Sequence, residues 1–124
     1  MKYDKLDALD TLKPNSLWQW QGTDYTGLNW VDSSQTKPTE SEIDAEVTRL
    51  TNAEPMRLLR IERDKRLTDC DWIITMHKEL GTNIPAAWKT YRQSLRDLPA
   101  SASPSLDSYG DLDLTSVTWP TEPS

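Results

Sequence analysis

A chain of 124 residues with a net charge of −6, one cysteine and one histidine can bury a single domain's core, but it holds no internal disulfide and no ligand set for a structural zinc. Its mean hydropathy of −0.73 comes with no apolar run near the roughly 20 residues of a bilayer span and no charged-then-apolar start of signal-peptide type. The expectation is therefore a soluble intracellular product with no membrane partner. The charge is uneven, −4 over residues 1–53, +2 over 54–98 and −4 over 99–124. Binding to nucleic acid is driven by counterion release at a dense basic face, so no nucleic-acid partner is expected.

In chain order, Tyr3, Leu6, Leu9 and Leu12 recur every third residue before Pro14, and two readings stand: a short helix docked by one stripe, or a loosely ordered arm. In the stretch SLWQWQGTDYTGLNWVDSS, aromatic residues flank Gly22 to Gly27. The pattern predicts a small β-hairpin with residues 16–21 paired to 27–32. Trp18, Trp20 and Trp30 then have two readings, an exposed aromatic surface for a sugar or a partner protein, or one face of a sheet resting on helices. Period-two spacing puts Trp18 and Trp20 on one side, and a lone hairpin needs such packing to persist in water, which favours the second.

After the polar linker 33–38, Thr39 and Glu42 form a capping-box pattern that opens a helix over about 39–51, with Ile43, Val47 and Leu50 as its apolar stripe. The carboxylates Glu40, Glu42, Asp44 and Glu46 read as a solvated face that complements the helix dipole, since acid–base work needs two carboxylates converging in a cleft. Asn52 to Pro55 reads as a joint, with Pro55 in the first turn of the next helix.

An antiparallel helical hairpin is predicted over 54–99. Its first arm runs about 55–80, with Leu58, Leu59 and Ile61 on its apolar side and a bend near 68, where Thr68 and Asp71 resemble a weaker capping box. Ile73, Met76, His77 and Leu80 continue the stripe, His77 reads as a core-edge residue, and Gly81 ends the arm. The second arm, 85–98, carries Trp88, Tyr91, Leu95 and Leu98 and closes at Pro99; Trp72 and Trp88 are the expected bulky members of the seam. Residues 100–124 are rich in Ser, Pro, Asp and Thr, which predicts an extended acidic tail without a core of its own. Its Trp119 could dock in a groove of this or another chain. The fold class is thus α+β, mainly α, organised as 1–53, 54–99 and 100–124 around one compact unit.

The residues Arg60, Arg63-Asp64, Leu67, Asp71-Trp72, then Tyr91-Arg92-Gln93, Leu95-Arg96-Asp97-Leu98-Pro99 and Trp119-Pro120 together resemble the phage tail assembly chaperone family, small proteins encoded beside tail and tail-fibre genes. The likeness runs from Arg57 to the Trp-Pro ending, about half the chain. Lys37-Pro38-Thr39-Glu40 with Glu42-Ile43 is similar to related proteins of tailed phages, notably those of marine cyanobacteria. The resemblance implies a non-enzymatic tail or tail-fibre assembly protein that binds a tail or fibre protein in the host cytoplasm, without cofactor, metal or catalytic residues. Two alternatives stand beside it: a stoichiometric tail or fibre component retained in the virion, self-associating through the tryptophan hairpin, and a carbohydrate-binding module built on the same tryptophans. No nucleotide loop or nucleophile motif argues for chemistry. Candidate partner contacts are Arg92, Arg96, Trp119, Trp18, Trp20 and Trp30. Arg92 and Arg96 sit one turn apart and suit forked contacts to carboxylates; the competing reading pairs them within the chain to Asp97, Glu79 or the acidic tail.

Overall fold

The computed structural model describes residues 3–124 as a mainly helical protein with one small sheet: α1 (Lys5–Leu12), β1 (Trp18–Trp20), β2 (Leu28–Trp30), α2 (Glu40–Asp69), α3 (Asp71–Leu80) and α4 (Ala86–Ser101). It divides into two compact units, one ending at Ala53 and the other Glu54–Ser124.

In the first unit the N-terminal stripe forms a helix rather than a loose arm. Asp4 and Asp7 cap it reciprocally, each carboxylate accepting from the other's backbone N–H at 3.0 and 3.1 Å. Ala8 and Leu9 are buried. The strands pair antiparallel, with Trp18 opposite Trp30, Gln19 opposite Asn29 and Trp20 opposite Leu28. The turn between them depends on Gly27, because a Cβ there would stand 1.8 Å from the Gln21 carbonyl oxygen, which only glycine avoids. Asp32 gathers the far end, accepting from the N–H groups of Leu17, Ser34 and Gln35. Its pKa falls through the hydrogen bonds to Ser34. Ala8, Leu9, Leu28, Ile43 and Val47 make the core, and Trp18, Trp20 and Trp30 pack against it.

The helix expected over 39–51 starts as read, with Thr39 Oγ1 accepting from the Glu42 N–H at 3.1 Å and Glu42 reaching back to the Thr39 N–H. It does not stop at the joint. Residues 52–55 are helical, and α2 runs for 30 residues with Pro55 in its interior. Proline there withdraws one donor from the ladder but does not open a new helix.

In the second unit the break falls at Cys70 rather than near 68. Thr68 caps nothing; Cys70 precedes α3 without a side-chain cap, and its N–H closes a tight turn onto Leu67 O at 3.2 Å. Gly81 ends α3 in the left-handed conformation at φ 70°, as its position predicts. Helix α4 packs on both parts of the first arm: Ile73 of α3 clusters with Tyr91 and Leu95, and the second half of α2 runs antiparallel to it. Leu59 clusters with Leu98, the Arg63 guanidinium donates to Arg96 O, and Arg92 donates to Leu67 O, so numbers fall along one helix as they rise along the other. Trp72 lies outside the seam that α3 enters through Ile73 and is 62% exposed; Leu80 and Ile61 are exposed too.

The inward face of the second half of α2 carries the fully buried Leu59 and the half-buried Met56, Arg63 and Leu67, and the buried Cys70 follows it at the break. Arg63 fills a core-side position with its methylene stem, its side chain only 20% exposed. Helix α4 passes through Pro99 and ends at Ser101.

Residues 102–124 are not an extended tail. Leu106 bridges to Leu112 around a turn held by the Asp107 carboxylate, which accepts from the N–H groups of Tyr109 and Asp111. A 3₁₀ turn follows at Leu114–Ser116, and Val117 is buried against Leu59 and Leu98. The composition forbids a core of its own, and the segment completes that of the helices.

Candidate partner interface

Trp119 belongs to both apolar clusters of the second unit, the one of Cys70, Ile73, Tyr91 and Leu95 and the one of Leu59, Leu98 and Val117. Its indole N–H donates to Leu114 O at 3.1 Å, so the ring docks with its polar atom already satisfied inside the same segment. The Arg66 guanidinium lies over the ring at 4.1 Å, and Glu62 holds that guanidinium from the other side at 3.1 Å. Beneath it, burial pushes the Tyr91 phenol above its ordinary value; Glu122 adds to the shift and Arg66 opposes it. The groove that Trp119 enters is thus apolar at its floor, roofed by a cation and flanked by the carboxylate of Glu122.

Arg92, expected on the outer side of its helix, turns inward. It donates to Leu67 O at 2.9 Å, the Cys70 sulfur at 2.9 Å and Asp71 Oδ1 at 2.8 Å, and its side chain is only 16% exposed. Burial opposes its charge, but the bonds to Cys70 and Asp71 outweigh that and hold its pKa above the usual arginine value. Its place is structural: it adds a charged donor to the Leu67 carbonyl, which also accepts from the Cys70 N–H, and pins the start of α3 through Asp71. The internal partner is Asp71, not Asp97, Glu79 or the tail. Arg96 is exposed and bonds to Gln93 Oε1 at 3.1 Å.

The N-terminal tryptophans share one face of the sheet and are half-buried on the core of the first unit. Trp18 and Trp20 meet edge to face at 6.5 Å, and Trp20 and Trp30 donate their indole N–H groups to Asp24 O and Gln35 O. Trp20 and Val47 line a groove of about 550 Å³. Trp18, Trp20 and Trp30 belong to the first unit, and Arg92, Arg96 and Trp119 to the second. Sequence reasoning missed Arg66, whose signal was its i, i+4 spacing from Glu62 and the lone tryptophan of the tail.

His77 is half-buried and shares a hydrogen bond of 2.7 Å with the Thr82 hydroxyl. Among the described residues, no group of three or more His, Cys, Asp or Glu side chains is placed to hold a metal. No helix among them is long and apolar enough to cross a membrane.

A helical pair closed by a short C-terminal segment is the class of fold that carries these features. The family model described as phage tail assembly chaperone protein matches residues 56–124, which takes in the second half of α2, α3, α4 and the whole closing segment. The chain belongs to the phage tail assembly chaperone family. No curated protein and no solved structure matches it.

Proposed function

We propose that this protein is a non-catalytic assembly factor that binds a protein of the phage tail or tail fibre in the infected cell. The observation that carries the reading is the family match over 56–124, which coincides with one self-contained packed unit rather than with a fragment of one. The unit also presents Trp72 to solvent, and tryptophan is a residue enriched where proteins meet.

Affinity capture of the full chain from infected cells, joined to mass spectrometry of purified particles, tests the reading. Recovery of a tail or fibre protein from cells, with the chain missing from mature particles, is the expected result. Recovery of host metabolic enzymes alone would overturn it, and a fixed copy number in particles would make the protein a virion subunit instead.

A further inference from the structure

Residues 103–124 are fastened in an unusual way. Their hydrogen bonds close within the segment: the Asp113 N–H onto Ser105 O at 2.9 Å, the Ser105 N–H onto Ser116 Oγ at 3.0 Å, and the Trp119 indole onto Leu114 O. None of these three bonds reaches α2, α3 or α4. The contacts with the helices are side-chain contacts, with Leu112, Val117 and Trp119 against Leu59 and Leu98 and the Arg66 cation on the tryptophan ring. An element held mainly by a few apolar contacts opens at a free energy well below that of global unfolding.

The segment also underfills its seat. A groove of about 360 Å³ stays open on the α4 side of Trp119, beside Asp97 and Ser101, and one of about 270 Å³ on the α2 side, beside Lys65 and Arg66.

We propose that the groove between α4 and the second half of α2 is the receptor for an extended segment of the partner protein, and that Leu112 to Glu122 of this chain occupies it as an internal stand-in. The stand-in reports the chemistry of the true occupant: a branched aliphatic residue for the Leu59 and Leu98 floor, a large aromatic ring two residues later for Arg66, and a carboxylate shortly after it, where Glu122 lies beside Lys65 and Arg66. A tethered competitor acts at an effective concentration on the order of millimolar. A partner segment displaces it by filling the two volumes that the stand-in leaves open. The proposal rests on the partner-binding reading above and gives that partner a chemistry.

The test is a titration of a fluorescein-labelled peptide of residues 111–122 with the full-length chain. Wild type binds weakly because its own segment competes, and Trp119→Ala, which weakens the stand-in, binds about 10-fold more tightly. Adding Arg66→Ala to Trp119→Ala removes that gain. Equal affinity for wild type and Trp119→Ala, or a double variant that binds like Trp119→Ala, overturns the proposal. Hydrogen exchange on the unaltered chain gives a second reading that needs no substitution: amides of 112–120 exchange at least about 10-fold faster than those of α4, and equal protection overturns the proposal. A wild-type dimer that Trp119→Ala converts to monomer would assign the groove to a second copy, which also overturns it. Failure of these measurements removes the groove alone; the cell capture decides the partner-binding reading independently.

Discussion

The hairpin of residues 16–32 and the closing segment of residues 103–124 solve one problem with different fastenings. Each is a turn-rich, tryptophan-bearing stretch without a core of its own, and each completes the apolar face of neighbouring helices. Each also settles its indole N–H groups on carbonyls four or five residues away before the rings dock. The hairpin is then tied down by directional bonds. The Tyr25 hydroxyl donates to Pro38 O at 2.6 Å, Lys37 Nζ to Leu28 O at 3.4 Å and Lys5 Nζ to Thr23 O at 3.3 Å. The bonds described for the closing segment all close within it. Burial holds both, but only the hairpin is also held by geometry, and that difference sets which stretch is free to leave.

The largest test removes a fully buried leucine from either unit. Leu9→Ala and Leu95→Ala, both at positions with 0% exposure, each lower stability by about 3 kcal/mol in denaturant unfolding. Hydrogen exchange is expected to accelerate mainly in 3–53 for the first and in 54–124 for the second. If either change loosens both units equally, they unfold as one and the comparison loses its basis.

A smaller change strikes the hairpin's ties. Tyr25→Phe deletes the bond to Pro38 O and costs about 1 kcal/mol, with faster exchange in 18–30 on thermal and exchange measurements. No loss would mean that the hairpin, like the closing segment, is held by burial alone.

The smallest effect is a pH dependence at Glu46. Its pKa is lowered from the ordinary 4.5 chiefly by the hydrogen bond from Arg49; burial opposes the shift, and the Thr11 hydroxyl, donating at 2.7 Å, assists it. A depressed carboxylate contributes stability above its unfolded value, and that contribution is lost as pH falls through the lower folded value. Melting curves taken from about pH 7 to about pH 3 should therefore fall less for Glu46→Gln than for wild type. Parallel curves would show that Glu46 ties α1 to α2 no more firmly than an uncharged side chain does.

The parts of the fold legible in the sequence are those set by local chemistry. Thr39 with Glu42 marked a helix start, Gly81 an end, and the spacing of Trp18, Trp20 and Trp30 marked the hairpin and its register. What escaped was set by tertiary packing. Pro55 suits a first turn locally, yet the helix before it runs on through it. Arg63 reads as a surface charge, but its stem occupies a core-side position, and this displaced the inferred stripe toward Ile61. Trp72 was placed with Trp88 in a seam, whereas Ile73 is the residue of α3 that packs on α4 and Trp72 faces solvent.

The interface was half legible for the same reason. Trp119 stood out in a polar stretch, but its cation partner Arg66 lies 53 positions earlier, and only the folded chain brings the two together. Arg92, chosen for its donors, spends them on Leu67 O, the Cys70 sulfur and the Asp71 carboxylate.

Cys70 supplies a clock. It is the chain's one thiol, 1% exposed, lodged at the break between α2 and α3 with its sulfur under the Arg92 guanidinium. A thiol-reactive dye reaches it only when that joint parts, so the labelling half-time at saturating reagent counts the openings of the C-terminal unit in unmodified protein. Loaded with partner, the same protein would keep time more slowly.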